Sequence, residues 1–550
     1  MRLAFDQERN VMTNNYCLLN TAAQNKDTAF SQQERADARL EGLLPPTVDS
    51  LETQMQRVLE HLDNKPDDIE KYIYLQELAD RNETLFFATL MSDPVTFIPL
   101  VYDPTIAEAC RKYGHLYRRP KGMYLTRQMK GRLKEVLRNW PQKEVRFICV
   151  SSGGRILGLG DIGANGAPIP VGKLQLYTAC AAVPPQGLLP IHLDIGTGND
   201  KLREDPLYTG LRETKLGQQQ LDELLDEFVA AVEDVFPGCC IHFEDWEGND
   251  AIRYLQRYQQ RALVYNDDIQ GTASVVLAGL LTALETTGGE LADQRVLFAG
   301  AGSAGTGIAN MLVEAMTQEG ADRDEARKAI TLFDKEGLLT ADRDDLNPSQ
   351  QVYARKMSSE KDLQKVVEQV KPTMLIGVST QGGLFSEGVV KAMSELNERP
   401  VIFALSNPTE NAECTAKQAY EWSDGKALFA AGVQFGEEKI GNETRYPGQA
   451  NNFYIFPAVS LAIYAARPTR VDDRLFIEAA RLCAKQVSKA DREKGKLYPS
   501  QADIVNTELA IATGLVRYLF KHDLAGVKKP EDIDGWMQSL LYQPRYVSSV

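Results

Sequence analysis

The chain has 550 residues, more than one hydrophobic core accommodates, so several folding units are expected. Hydrophobic residues make up 43% and charged residues 25%, a globular balance that can bury cores without staples. The formal net charge of −15 argues against nonspecific nucleic-acid binding, and an anionic substrate would need Arg, Lys or metal concentrated locally.

The opening stretch, MRLAFDQERN, sets Asp6 and Glu8 early and lacks the acid-poor character of a transit peptide and the apolar run of a signal peptide. No run approaches the ~18 apolar residues of a membrane span, so a cytoplasmic protein is expected. Residues 1 to about 120 read as helical and polar. From Asp67 to Leu85, for example, Ile69, Ile73, Leu75, Leu78 and Leu85 roughly follow a helical period. The texture changes near residue 144. EVRFICV ends in Ser151-Ser152-Gly153-Gly154 and leads into RILGLGDIGANG, which predicts strand, turn, strand and glycine-rich loop. LLPIHLD (188–194) reads as a buried strand. An amphipathic helix follows, with Leu221, Leu224, Leu225, Phe228, Val229, Val232 and Val235 on one face. Pro237 and Gly238 end it, and CCIHFED is the next strand.

Residues 270 to 450 alternate helices with RVLFAGAG, AITLFDKEG, TMLIGVST, PVIFALSNP and ALFAAG, which predicts a parallel, doubly wound α/β sheet. The tail is helical and ends polar. The eight cysteines include no CxxC pair and fall mostly in apolar segments, so reduced, packed thiols are expected. Five histidines without an HExxH leave oxygen as the expected ligand for any metal.

Gly300, Gly302 and Gly305 follow a strand directly and open a helix. In that context the first glycine allows a tight turn, the second lets backbone approach a pyrophosphate, and the third packs helix on strand. Ser303 and Ala304 complete this loop, whose helix N-terminus would face the phosphates. Asp334 ends the next strand, where it could bind an adenosine ribose or cap the following turn.

Two carboxylate pairs close other elements: Glu244 and Asp245 in HFEDW, and Asp267 and Asp268 in YNDDIQGT. Adjacent carboxylates repel, so Mg²⁺ or Mn²⁺ would suit them; the alternative is helix N-capping plus solvated acids. Lys173, among apolar and small residues, could serve as a base if burial or nearby charge shifts it down from its ordinary range. Tyr102 precedes a proline turn. Arg155 after a glycine pair suits bidentate carboxylate recognition, and the amides of Asn407, Asn451 and Asn452 could also hold substrate.

Taken together, NKDTAF, GLLPP, YLQELADRNETLF, VYDPT, RILGLGD, IPVGKLQLYTAC, DPLYTG, FEDW, NDDIQGT, GAGSAG, LSNPT and GQANN resemble the malic enzyme family, in its order, from about residue 25 past 460. The resemblance implies oxidative decarboxylation of malate to pyruvate with NAD or NADP and Mg²⁺ or Mn²⁺. It implies a helical N-terminal domain (1–120), a central catalytic domain (121–266 with 452–525), an inserted Rossmann-type domain (267–451) and a C-terminal tail (526–550). It implies Glu244, Asp245 and Asp268 as metal ligands, Lys173 as base supported by Asp267, and Tyr102 as acid. Arg155, Asn407, Asn451 and Asn452 would contact substrate, with Asn407 also near the cofactor. A homodimer or homotetramer without nucleic-acid or membrane partners is implied as well.

Three departures stand out. The acidic lead usual before RILGLGD is Ser151-Ser152-Gly153-Gly154, and the Phe usual before NDD is Tyr265. YDPTIA and DLNPSQQ lean towards malolactic enzymes, which release lactate, but those tend to lack the arginine present as Arg155. Gln351 and Glu336 favour NAD, whereas Lys335 and Arg343 could serve a 2′-phosphate.

Overall fold

The computed structural model describes residues 16–156 and 158–547; the N-terminal reading based on Asp6 and Glu8 therefore lies outside the described residues. After a short helix over Gln32–Asp37 come four longer ones, each started by a short polar side chain that accepts from a first-turn backbone N–H. They are α1 (Leu51–Asp63), α2 (Asp68–Arg81), α3 (Glu83–Ser92) and α4 (Pro94–Val101), capped by Ser50, Asp67, Asn82 and Asp93. The helical period expected from Asp67 to Leu85 is thus interrupted. Asn82 leaves helical geometry to cap the Leu85 N–H, so Leu85 belongs to the next helix.

A parallel five-stranded sheet follows, in the order β1-β3-β2-β4-β5. Its strands are β1 (Met123–Thr126), β2 (Phe147–Ser151), β3 (Leu188–Asp194), β4 (Cys240–Phe243) and β5 (Val264–Asn266). Alternation within β2 sends Ile148 and Val150 to one face and Phe147 and Cys149 to the other. Leu224, Leu225 and Phe228 of the amphipathic helix, α6 (Gln218–Val235), pack with the first pair. Helix α5 (Pro168–Ala181) packs on the second. Among the described residues of RILGLGD no second strand forms, and Ile156 and Gly160 make an isolated bridge. Gly153, Gly158 and Gly160 take φ of 68°, 76° and 74°, and these turns break the extended run.

The second sheet has seven strands in the order β14-β11-β10-β9-β6-β7-β8. They are β6 (Val296–Ala299), β7 (Ile330–Asp334), β8 (Gly337–Leu338), β9 (Met374–Gly377), β10 (Val401–Ala404), β11 (Leu428–Ala431) and β14 (Gly448–Gln449). All pair in parallel except β8 with β7. A separate ribbon joins β12 (Glu438–Ile440) to β13 (Glu443–Arg445). Asp267–Thr287, 21 residues, is apolar and long enough to cross a membrane, unlike any run recognised in the sequence. Here it is a mostly buried helix of the core, α7 (Thr272–Thr287), with its first turn widened. Helix α8 is Ser303–Gln318. The closing helices are α9 (Phe456–Ala466), α10 (Asp473–Lys485) and α11 (Ile504–Lys521); α9 packs on α5, and α10 on α7.

Glu508 of α11 is fully buried. One oxygen accepts from the Ala458 N–H at 2.7 Å in the first turn of α9, and the other has no partner. Burial pushes this carboxyl well above its usual range, a shift the Ala458 hydrogen bond only opposes. Because the folded value is raised, the associated stability is present at acidic pH and is lost as pH rises towards that value. Glu508→Gln keeps an acceptor for Ala458 and cannot ionise. Its unfolding midpoint is expected to match wild type near about pH 4 and to exceed it increasingly towards about pH 8, by on the order of 1–3 kcal/mol. Parallel pH–stability curves would refute this.

Candidate active site

The C-terminal ends of β2, β4 and β5 lie side by side, with Val150 paired to Phe243 and Phe243 to Asn266. Ligands of α/β sheets gather at such ends. Glu244 extends the pairing through its N–H to Val150 O at 3.0 Å. Asp245 then turns left-handed (φ 54°) and donates its N–H to Asp268 Oδ2 at 2.8 Å. Asp267–Gly271 form a single π turn, a wide helical turn that recurs at functional sites. Its cap is Asn266, which accepts from the Ile269 N–H, so neither Asp267 nor Asp268 is spent on capping. Gly271 is required here, because a Cβ would stand 1.8 Å from Asp267 Oδ1.

Lys173 projects from α5 into these carboxylates and is 3% exposed. Its Nζ lies 2.6 Å from Glu244 Oε1 and 2.8 Å from Asp267 Oδ2, and 4.3 Å over the Phe456 ring. Tyr102, just past α4, donates its hydroxyl to the same Glu244 oxygen at 3.2 Å. Its ring is admitted by Gly172, where a Cβ would meet Tyr102 Cδ2 at 2.9 Å. Asn452 Nδ2 donates to Asp267 Oδ2 at 2.9 Å. Burial drives the Tyr102 phenol far above its normal range, so it keeps its proton. The expected downward shift of Lys173 is not what this arrangement gives. Burial does act downwards, but Asp267 and Glu244 outweigh it and hold the ammonium well above its ordinary range.

Three buried carboxylates and the half-buried Asp268 share one ammonium. Glu244 resists burial and stays low, at about 2, because Lys173 and His242 support its charge. Asp245 is pushed well up, first by burial and then by Asp268 and Glu244, and Asp268 first by burial and then by Glu244 and Asp267. Asp245 Oδ2 and Asp267 Oδ1 are buried without a partner. Surplus buried negative charge with orphaned oxygens fits a hard divalent cation. Ligand atoms of His242, Glu244 and Asp267 converge within 4.8 Å of one another, a tighter set than the expected Glu244, Asp245 and Asp268.

On the second sheet, Gly300 (φ 123°) leaves β6 where a Cβ would lie 2.4 Å from Val378 O. A Cβ on Gly302 would meet nothing within 4 Å, which leaves open space beside the backbone N–H groups that start α8 at Ser303 and Ala304. Gly305 packs on Gly300 O, where a Cβ would lie 2.2 Å away. Asp334, at the end of β7, is held bidentately by Arg343, both contacts 2.9 Å; Arg343 also binds Asp345. Gln351 is turned back onto Leu346 O at 3.0 Å. Buried Glu413 ties Ser379 and Ser406, at the ends of β9 and β10, with bonds to Ser379 Oγ at 2.7 Å and Ser406 Oγ at 2.5 Å.

Of the other expected residues, Arg155 is exposed and forms no side-chain hydrogen bond or ion pair among the described residues; a Cβ on Gly248 would lie 3.1 Å from its Nη1 and 3.2 Å from Ser303 Oγ. Asn407 is exposed beside the 153–160 loop, where a Cβ on Gly158 would lie 3.6 Å from Pro408. Asn451 caps the Phe453 N–H, whereas Asn452 reaches Asp267 itself. Sequence reasoning missed His242, Tyr177 and Ser460 behind Glu244, and Glu413 beneath the nucleotide loops. Only the two-residue spacing of His242 and Glu244 on one strand face hinted at any of them.

Comparison with known proteins gives a consistent result. A family model described as "Malic enzyme, N-terminal domain" matches residues 79–259, and "Malic enzyme, NAD binding domain" matches 269–520. The chain is 43% identical to the NADP-dependent malic enzyme of Mus musculus, over 98% of this chain and 95% of that protein. It is 41% identical to that of Columba livia, covering 97% of each. The malic enzyme structure from Entamoeba histolytica shares the fold with a TM-score of 0.58 at 21% identity, covering 93% of this chain and 92% of that one. That from Pyrococcus horikoshii gives 0.55 at 23%, covering 81% and 88%.

Proposed function

The chain belongs to the malic enzyme family, and on that premise we propose how its residues divide the oxidative decarboxylation of malate. The protein is a decarboxylating malate dehydrogenase that uses a nicotinamide cofactor. The observation that carries our assignment is the shared oxygen: Lys173 and Tyr102 both engage Glu244 Oε1, while Asp267 holds the other side of Lys173.

In this reading, Glu244, Asp245 and Asp268 would hold Mg²⁺ or Mn²⁺, which would supply Lewis-acid polarisation of the substrate. Lys173, set between Glu244 and Asp267, would take the C2 hydroxyl proton, and a bound nicotinamide would supply the hydride acceptor. The resulting β-keto acid loses its C4 carboxylate as CO₂. Tyr102 gives its proton to C3 of the enolpyruvate, and Lys173, whose Nζ lies 5.2 Å from the Tyr102 ring centroid, returns the proton taken at C2. Protons balance over the cycle. Arg155, free of protein partners, is assigned to a substrate carboxylate, with Asn451, Asn452 and Asn407 around it. The test is purified protein with malate and Mn²⁺: pyruvate, CO₂ and reduced nucleotide are expected, all abolished by chelator. Full turnover in metal-free buffer removes the ligand assignment, and lactate in place of pyruvate removes the reaction.

For the nucleotide we propose NAD. The relatives reported are named NADP-dependent, but here Arg343 is already paired with Asp334 and Asp345, Gln351 is folded away, and Glu336 is a poor neighbour for a 2′-phosphate. Asp334→Ala is expected to raise the nucleotide KM about tenfold or more with malate KM little changed. An unchanged nucleotide KM returns Asp334 to a structural role, and a higher kcat/KM with NADP reverses the preference. We also propose a homodimer or homotetramer, supported by an aromatic groove of about 490 Å³ along α2 that includes Tyr72, Tyr113 and Tyr124. The cytoplasm is the proposed compartment, supported by seven buried cysteines without a disulfide among the described residues.

A further inference from the structure

Glu244 is gripped from a second side that the proton transfers above do not use. Its Oε2 faces His242 Nε2 at 2.7 Å, and His242 is completely buried. An ionised carboxylate can only accept, so Nε2 carries the hydrogen, and in the neutral imidazole Nδ1 is then the acceptor. The donor at Nδ1 is the Tyr177 hydroxyl at 2.7 Å; the Tyr265 hydroxyl oxygen lies 3.2 Å from Nδ1 and also touches Tyr177. Tyr265 further reaches Ser460 Oγ at 3.2 Å, and Ser460 spends its own hydrogen on Phe456 O at 2.6 Å. Ser460 therefore has no hydrogen left for Tyr265, so Tyr265 donates to Ser460, while the hydrogens of Tyr177 and His242 run towards Glu244. Burial keeps both phenols protonated. Tyr265 is the departure from the family's usual Phe, and its extra hydroxyl is a member of this chain.

We propose that His242 is a positioning residue for the cation site, fixing the carboxylate plane of Glu244 through its Nε2–H, with Tyr177, braced by Tyr265, fixing the tautomer that carries that hydrogen. This rests on Glu244 being a cation ligand. The role differs from ligation, because a nitrogen that donates to Glu244 has no lone pair left for a metal.

Mn²⁺ titration of the protein without nucleotide or malate, read by the electron spin resonance of free Mn²⁺, tests it directly. His242→Ala is expected to weaken Mn²⁺ binding about 10–100-fold. His242→Gln, whose amide can donate to Glu244 and accept from Tyr177, should bind Mn²⁺ nearly as wild type does. Tyr265→Phe should cause a smaller loss, since Tyr177 still donates. Binding of reduced nucleotide, followed by its fluorescence, should be unchanged throughout. If His242→Ala does not fold, His242→Met fills the volume without a hydrogen bond and takes its place. Wild-type Mn²⁺ affinity in the Ala or Met variant overturns the proposal, as does a Gln variant no better than Ala. Directly bound nitrogen in the spin-echo modulation of bound Mn²⁺ also overturns it, by making His242 a ligand. A wild type that binds no Mn²⁺ refutes the cation reading itself, and His242's role with it.

Discussion

Lys173→Ala is expected to lower kcat by about 10²–10⁴-fold, the usual worth of a general base, while nucleotide binding persists. A second, opposite effect follows from its neighbours. Without the ammonium, Glu244 and Asp267 keep their hydrogen bonds from Tyr102, His242 and Asn452 but lose their lysine counter-charge, and breaking a buried pair costs about 3–5 kcal/mol. The metal-free variant should therefore melt well below wild type, and added Mn²⁺ should recover more of its stability than it adds to wild type. Calorimetry with chelator and with Mn²⁺ reads both arms. A kcat within a few-fold of wild type would remove Lys173 from proton transfer. Equal metal stabilisation of the two proteins would mean that Lys173 does not compensate these carboxylates.

Tyr102→Phe removes a single hydroxyl and strands nothing, because Glu244 Oε1 keeps Lys173 at 2.6 Å. Stability should hardly change. As loss of a general acid it should depress kcat by about 10²–10⁴-fold with little change in malate KM. It should also slow tautomerisation of added enolpyruvate, a step without hydride transfer that isolates protonation at C3. If the variant tautomerises enolpyruvate at the wild-type rate, Tyr102 is not the acid.

Much of the frame was legible because it is written locally. A strand running into Gly300, Gly302 and Gly305 with a helix behind it has few other uses, and two adjacent carboxylate pairs demand a counter-charge. The face of α6 was equally plain, since its seven apolar positions needed only a helical period. Local pattern failed where a short polar residue or a glycine overruled it: Asn82 splits a helix, and the turns at Gly153, Gly158 and Gly160 cancel a strand. The protonation of Lys173 was misjudged for another reason. Its sequence neighbours are apolar, but its spatial neighbours are Glu244 and Asp267, and charge at under 3 Å outweighs burial. His242 and Glu413 were invisible because their importance lies wholly in partners brought by the fold.

Asp267 is held by Lys173, 94 residues earlier, and by Asn452, 185 residues later. Loops of that length carry a closure entropy that no single hydrogen bond offsets, so neither contact persists until the layers that carry them have docked. The carboxylate cluster is thus among the last parts of the molecule to assemble. During refolding from denaturant, helical content and the glycine loop's strand and helix rest on near-neighbour contacts and can return early, whereas catalysis must wait for α9 to settle against α5. Recovered activity is accordingly a stricter measure of native topology in this chain than recovered secondary structure.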